Sequence, residues 1–123
     1  MATPRPLTVL LVDDQPEFRD FARELLQGEP GLEVIGEAFD CESAMQALAL
    51  LKPDVVVLDV QLPGINGFAI CKRMRDVRPD LSVVMTSAFD HPQNRDMAAR
   101  VGARGFVRKG RFSGKAVMGL LQR

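Results

Sequence analysis

The chain has 123 residues, 46% of them hydrophobic, with 16 basic and 16 acidic side chains. That length suits one domain with its own core, and that hydrophobic share excludes wholesale disorder. Balanced charge singles out no partner, and no apolar run approaches the roughly 18 residues a membrane helix needs.

The opening "MATPRPL" is short and lacks an apolar signal core, so nothing marks secretion and a cytoplasmic location is expected. "LTVLLV", Leu7 to Val12, is rich in branched aliphatics and reads as a buried first strand. "DDQP" follows. Pro16 suits the first turn of a helix, with Asp14 or Gln15 near its cap. Phe18, Phe21, Ala22, Leu25 and Leu26 then share one helical face until Gly28, Pro30 and Gly31 stop the helix. "LEVIGEA", Leu32 to Ala38, alternates and reads as an edge strand. Asp40 can cap a helix from about Cys41 to Leu51, which Pro53 ends. "DVVVLD" is a third strand ending at Asp59, and Gly67 precedes a third helix over about Phe68 to Val77.

"LSVVMTS", Leu81 to Ser87, reads as a fourth strand. Asp90 and Pro92 start a fourth helix that ends near Gly102. "GFVRK", Gly105 to Lys109, is a short fifth strand, and "FSGKAVMGLLQR" a last helix weakened by Gly114 and Gly119. Five strand–helix units with short connections imply a single α/β domain over residues 1–123, a parallel sheet covered by helices on both faces. The two cysteines, Cys41 and Cys71, lack metal-type spacing and read as free thiols in a reducing compartment. From Arg95 to Arg123 there are eight basic residues against one acidic, which reads as a solvated basic edge or as a docking surface for an acidic partner.

Ligands of such sheets gather at the carboxyl ends of the strands. Asp13 and Asp14 fall there after the first strand, Asp59 after the third, Ser87 after the fourth and Lys109 after the fifth. Each has a plain alternative: a cap, a turn residue, a strand-end hydroxyl, a solvated charge. Together, after four different strands, they describe a site. Two unit charges about 4 Å apart repel by roughly 4 kcal/mol at an effective dielectric near 20, so three clustered carboxylates need cations. Lys109 supplies one. A hard divalent ion supplies more, and oxygen ligands in an open cleft suit Mg2+. A metal, a nucleophilic carboxylate, an ammonium and a hydroxyl are the parts for moving a phosphoryl group onto an aspartate.

At these residues the sequence resembles the receiver domains of two-component response regulators. The segments "LLVDDQP", "VVVLDVQLPGINGF", "VVMTSA" and "GARGFVRK" carry the resemblance in order and spacing. It implies a three-layer flavodoxin-like fold with five helices and a five-stranded parallel sheet in order 2-1-3-4-5. It also implies that Asp59 accepts a phosphoryl group from a sensor histidine kinase or phosphotransfer protein. Asp13, Asp14, Asp59 and the backbone carbonyl of Gln61 would hold Mg2+, with Asp13 acting through water. Lys109, Ser87 and the backbone N–H of Ala88 would bind the phosphate. Ser87 is preferred to Thr86 because it precedes Ala88 and lies 15 residues before Gly102. Phe106 would be the aromatic switch; without a hydroxyl it could swing inward but not hydrogen-bond outward. The surface of the fourth helix, fifth strand and fifth helix would then change its partner, an output domain, a downstream protein or a second copy of the chain.

"VDDQPEFRDFARELLQGEPGLEVIGEA" particularly resembles receivers attached to helix-turn-helix transcription factors. No recognition helix is evident in residues 1–123, so direct nucleic-acid binding by this segment is not expected, nor is turnover of a separate substrate. Gly110 stands where the family often has proline after the lysine, and Gln15 follows the acidic pair with no evident consequence. Gln61 and Phe89 occupy positions that modulate phosphate lifetime in the family. Two rival readings are a metal-dependent phosphohydrolase with an aspartyl-phosphate intermediate and a receiver-like module that takes no phosphate. Gln61, where such hydrolases carry a second catalytic aspartate, argues against the first. The complete set of Asp13, Asp14, Asp59, Ser87 and Lys109 argues against the second.

Overall fold

In the computed structural model, which describes residues 4–122, the two most apolar runs of the chain form the middle of one sheet. These are β1 (Leu7–Val12) and β3 (Val55–Asp59). With β2 (Leu32–Ala38), β4 (Ser82–Ser87) and β5 (Gly105–Arg108) they make a five-stranded parallel sheet in the order β2-β1-β3-β4-β5. β2 lies at an edge, as its alternation predicts. The helices are α1 (Pro16–Gln27), α2 (Cys41–Leu51), α3 (Gly67–Val77), α4 (Pro92–Arg100) and α5 (Gly114–Leu121).

Strand alternation divides the core into two layers. Val9, Leu11, Val55, Val57, Val84 and Val107 pack with α1 and α5. Leu10, Val12, Val56, Leu58, Val83, Met85 and Phe106 pack with α2, α3 and α4. All of these residues are nearly or wholly removed from water. β2 alone changes sides. Its register against β1 slips between Val9 and Leu10, so Val34 joins the α1–α5 layer and Ala38 the opposite one. One extra residue in a strand inverts the face presented by everything after it.

Local signals explain most helix ends. Asp40 and Ser43 form a reciprocal capping box at the start of α2, and Asn66 and Ser113 accept from the third N–H of α3 and α5. Several boundaries differ from the sequence reading, among them β3, which starts at Val55 and not Asp54, and α5, which starts at Gly114 and not Phe112. β4 starts at Ser82 because the N–H of Leu81 closes a turn onto the carbonyl of Arg78. α3 starts one residue early, at Gly67. β5 stops at Arg108, and Lys109 begins a single 3-10 turn through Arg111. Cys71 is buried and Cys41 half-buried, both as free thiols. Burial pushes the Cys71 thiol up to about 11, slightly opposed by Arg75. No helix among the described residues is long and apolar enough to cross a membrane.

Candidate functional site

The carboxyl ends of β1, β3 and β4 lie side by side, and register sets what they present. Asp59 is the in-register neighbour of Thr86 on β4, and Ser87 that of Arg108 on β5. Alternation from Leu11, Val57 and Val84 places Asp13, Asp59 and Thr86 on the α1–α5 side. Ser87, two residues beyond Met85, belongs to the opposite side with Phe106.

Asp13, Asp59 and Ser87 are all nearly removed from water, at 2%, 4% and 2% exposure, whereas Asp14 is exposed. Lys109 closes the group. Its Nζ lies 2.7 Å from Asp13 Oδ2 and 3.1 Å from Asp59 Oδ2, with only 11% of its side chain exposed. The Asp59 contact is a hydrogen bond. The Asp13 contact is close but misaligned, so Oδ2 is held by charge and keeps no directed hydrogen bond. The other oxygen of Asp13 accepts the N–H of Gln15 at 2.8 Å, and Asp59 Oδ1 accepts the N–H of Gln61 at 3.0 Å.

One oxygen from each of Asp13, Asp14 and Asp59 lies within 4.8 Å of the others. Three hard oxygen donors, on carboxylates that include Asp13 with its buried Oδ2 lacking an aligned hydrogen bond, fit a small divalent cation. Burial, and then the nearby charge of Asp13, push the Asp59 carboxyl up to about 6, against the N–H of Gln61 and the ammonium of Lys109. Burial thus outweighs the pull of Lys109 on this carboxyl.

The loop after Asp59 folds back to hold it. Gln61 and Asn66 form an antiparallel bridge, and Gly64 takes a positive φ of 84°. The N–H of Gly67 donates to the carbonyl of Val60 at 2.6 Å. A β-carbon at Gly67 would stand 2.1 Å from the carbonyl oxygen of Asp59, so only glycine lets α3 start against the end of β3.

Ser87 Oγ accepts the N–H of Phe89 at 3.1 Å, and Ala88 is exposed in the turn after β4. Thr86 Oγ1 is buried with no hydrogen-bond partner. Phe106 is 5% exposed, with the Arg95 guanidinium 5.4 Å from its ring centroid. The aromatic ring therefore already lies inward, roofed by α4.

Three contributors escaped the sequence reading. Gln15 Oε1 accepts from Lys109 Nζ at 3.2 Å, and the Phe18 ring centroid lies 4.6 Å from the same ammonium. Gly67 is the third. The pattern Gln15, Phe18 at helical spacing i, i+3 was the available signal for the first two, but nothing local tied it to Lys109.

Comparison with known proteins agrees with this geometry. The family model described as the response regulator receiver domain matches residues 9–117. The nitrate/nitrite response regulator protein NarL of Escherichia coli is 31% identical over 109 residues, 89% of this chain and 50% of that protein. A protein-glutamate methylesterase/protein-glutamine glutaminase of Geobacter metallireducens is 42% identical over 82 residues, 67% of this chain and 24% of that protein. The chain thus spans about half the length of NarL and a quarter of the methylesterase. The signal receiver domain of NarL from Mycobacterium tuberculosis superposes with a TM-score of 0.87 at 31% identity, covering 98% of this chain and all of that one. A LuxR-family two-component response regulator from Aurantimonas gives a TM-score of 0.87 at 28% identity over 96% of this chain and 87% of that one. A flavodoxin-like sheet in the order 2-1-3-4-5, an acidic cluster at its carboxyl edge and a family match over residues 9–117 agree: the chain belongs to the response regulator receiver domains of two-component systems.

Proposed function

We propose that this chain is a phosphorylation-controlled switch in which Asp59 accepts a phosphoryl group from a sensor histidine kinase or phosphotransfer protein. The observation that carries the reading is the placement of Lys109 Nζ 2.7 Å from Asp13 and 3.1 Å from Asp59, beside a metal-competent trio of carboxylates. An Asp59 oxygen attacks phosphorus, the bond from phosphorus to the donor's imidazole nitrogen breaks, and that nitrogen keeps the electron pair. Asp13, Asp14, Asp59 and the carbonyl of Gln61 would hold Mg2+, which supplies positive charge against the developing phosphoryl oxygens. Lys109 neutralises a further oxygen.

Once Asp59 carries phosphate, Lys109, the hydroxyl of Ser87 and the N–H of Ala88 have a new acceptor. Ser87 gives up Phe89 to reach it, which pulls the turn before α4. Phe106, already inward beneath Arg95, is held there by the shifted turn, and the α4–β5–α5 surface changes its preferred partner. This is a shift between two arrangements, bounded by the differential contacts to phosphate. The partner is an output domain, a downstream protein or a second copy of the chain, and the setting is cytoplasmic.

The test is incubation with Mg2+ and a small acyl phosphate, read by intact mass, since the chain has no Trp or Tyr for fluorescence. One labile phosphate per chain that disappears in Asp59→Asn is expected. Phosphate retained by that variant, or none acquired by the wild type, overturns the reading.

A further inference from the structure

An ammonium has three N–H donors, and three oxygens surround that of Lys109. Asp13 Oδ2 stands at 2.7 Å, Asp59 Oδ2 at 3.1 Å and Gln15 Oε1 at 3.2 Å, with the Phe18 ring beneath. Asp59 and Gln15 accept its hydrogen bonds, and Asp13 is held by charge. A phosphoryl oxygen that reaches the ammonium enters this crowded shell and competes with the ligands already there. Two are carboxylates, nearly removed from water and bound by charge. The third is the neutral carboxamide of an exposed residue, at the longest distance.

Gln15 is placed for this contact by the start of α1. It is the cap residue of that helix, yet its side chain caps nothing. Pro16 occupies the first helical position and has no N–H to satisfy. The N–H of Gln15 is fixed on Asp13, and its carbonyl accepts from Phe18 and Arg19. Its backbone is anchored and its side chain is free to cross to Lys109, 94 positions later in the chain.

We propose that Gln15 is a positioning residue, the exchangeable third ligand of Lys109, released when an anionic phosphoryl oxygen arrives, and that it thereby sets how readily Lys109 takes phosphate. The proposal rests on the reading of Asp59 as phosphoacceptor. A weaker acceptor at position 15 eases the exchange, and a stronger one opposes it. The position is exposed, so either variant should fold.

The experiment measures Mg2+-dependent binding of beryllofluoride, a phosphoryl mimic, to wild type, Gln15→Ala and Gln15→Glu. It also records the side-chain NMR signal of isotope-labelled Lys109 without metal. Expected are about two- to five-fold tighter binding in Gln15→Ala and about ten-fold weaker binding in Gln15→Glu. The Lys109 signal should move in both variants. A purely structural role would leave the affinities alike or weaken both. Equal affinities, or a Lys109 signal indifferent to position 15, overturn the proposal while wild-type binding leaves the phosphoacceptor reading standing. Failure of wild type itself to bind overturns that reading, and the metal-free Lys109 signal still decides whether Gln15 holds the ammonium.

Discussion

Gly67 and Asp59 are in backbone contact: a β-carbon on the first would overlap the carbonyl oxygen of the second at 2.1 Å. The start of α3 is thereby locked to the end of β3. Gly67→Ala should force the two apart at a cost of about 1–3 kcal/mol. Urea denaturation would read the loss, and NMR shifts of Asp59 and Gln61 should move with it. An unchanged midpoint and spectrum would show the contact to be relieved cheaply.

Asp59 is a buried carboxylate with a second carboxylate, Asp13, close by and one ammonium shared between them. Removing its charge should stabilise the metal-free protein. Asp59→Asn is expected to gain about 1–2 kcal/mol at neutral pH, since Lys109 keeps Asp13 as its partner. Chemical denaturation in the presence of a chelator tests this, and a destabilised variant would refute it.

Mg2+ should act in the same direction. A ligand at 100 times its Kd stabilises the folded chain by about 2.7 kcal/mol. Thermal unfolding with and without Mg2+ should differ accordingly, and a chelator should reverse the gain. Asp14→Asn removes an exposed ligand with little effect on the fold. It should abolish most of the shift; a full shift in that variant would place the ion elsewhere.

Thr86 and Ser87 offer a contrast between neighbours. Thr86 Oγ1 is buried without a partner, whereas Ser87 Oγ accepts a backbone N–H. A buried unsatisfied hydroxyl costs about 1–3 kcal/mol, so the near-isosteric Thr86→Val should hold or raise stability. It should also leave beryllofluoride binding intact, while Ser87→Ala weakens it. The reverse outcome would exchange the two roles.

At the amino edge of the sheet, Asp54 Oδ2 accepts from the N–H of Thr8 at 2.9 Å, its hydroxyl at 3.0 Å and Arg5 at 3.0 Å. Burial works to raise this carboxyl, but Arg5 and the two Thr8 donors outweigh it and hold it below its ordinary value. A lowered carboxyl stabilises the fold fully above about pH 4 and loses that contribution as pH falls through its folded value. Wild type should therefore exceed Asp54→Asn by about 1 kcal/mol at neutral pH, the gap closing toward strong acid. A gap independent of pH would contradict the ionised pairing.

Much of this was legible in the sequence because it is local. The apolar runs ending at Val12 and Asp59 announce buried parallel strands, and Pro16, Asp40 and Pro53 punctuate the helices. Asp13, Asp14, Asp59, Ser87 and Lys109 could be placed because each ends or follows a strand. Gln15 could not be assigned a role, since its partner is 94 residues away and its position alone suggests a cap. Gly67 gave no warning either: close approach of two backbones leaves no periodic trace. The bulge in β2 was hidden for a similar reason, because "VIGEA" alternates plausibly in either register.

The two-layer division of the core has one more consequence. Asp13, Asp59 and Lys109 stand on one flank of the sheet, while Ser87 and Phe106 stand on the other. The strands between them form a bulkhead of buried valines and leucines, Val56, Val57, Leu58, Val83 and Val84 among them. News of a charge arriving on the first flank can cross only at the rim, where β4 runs out and its last hydroxyl can lean over the edge.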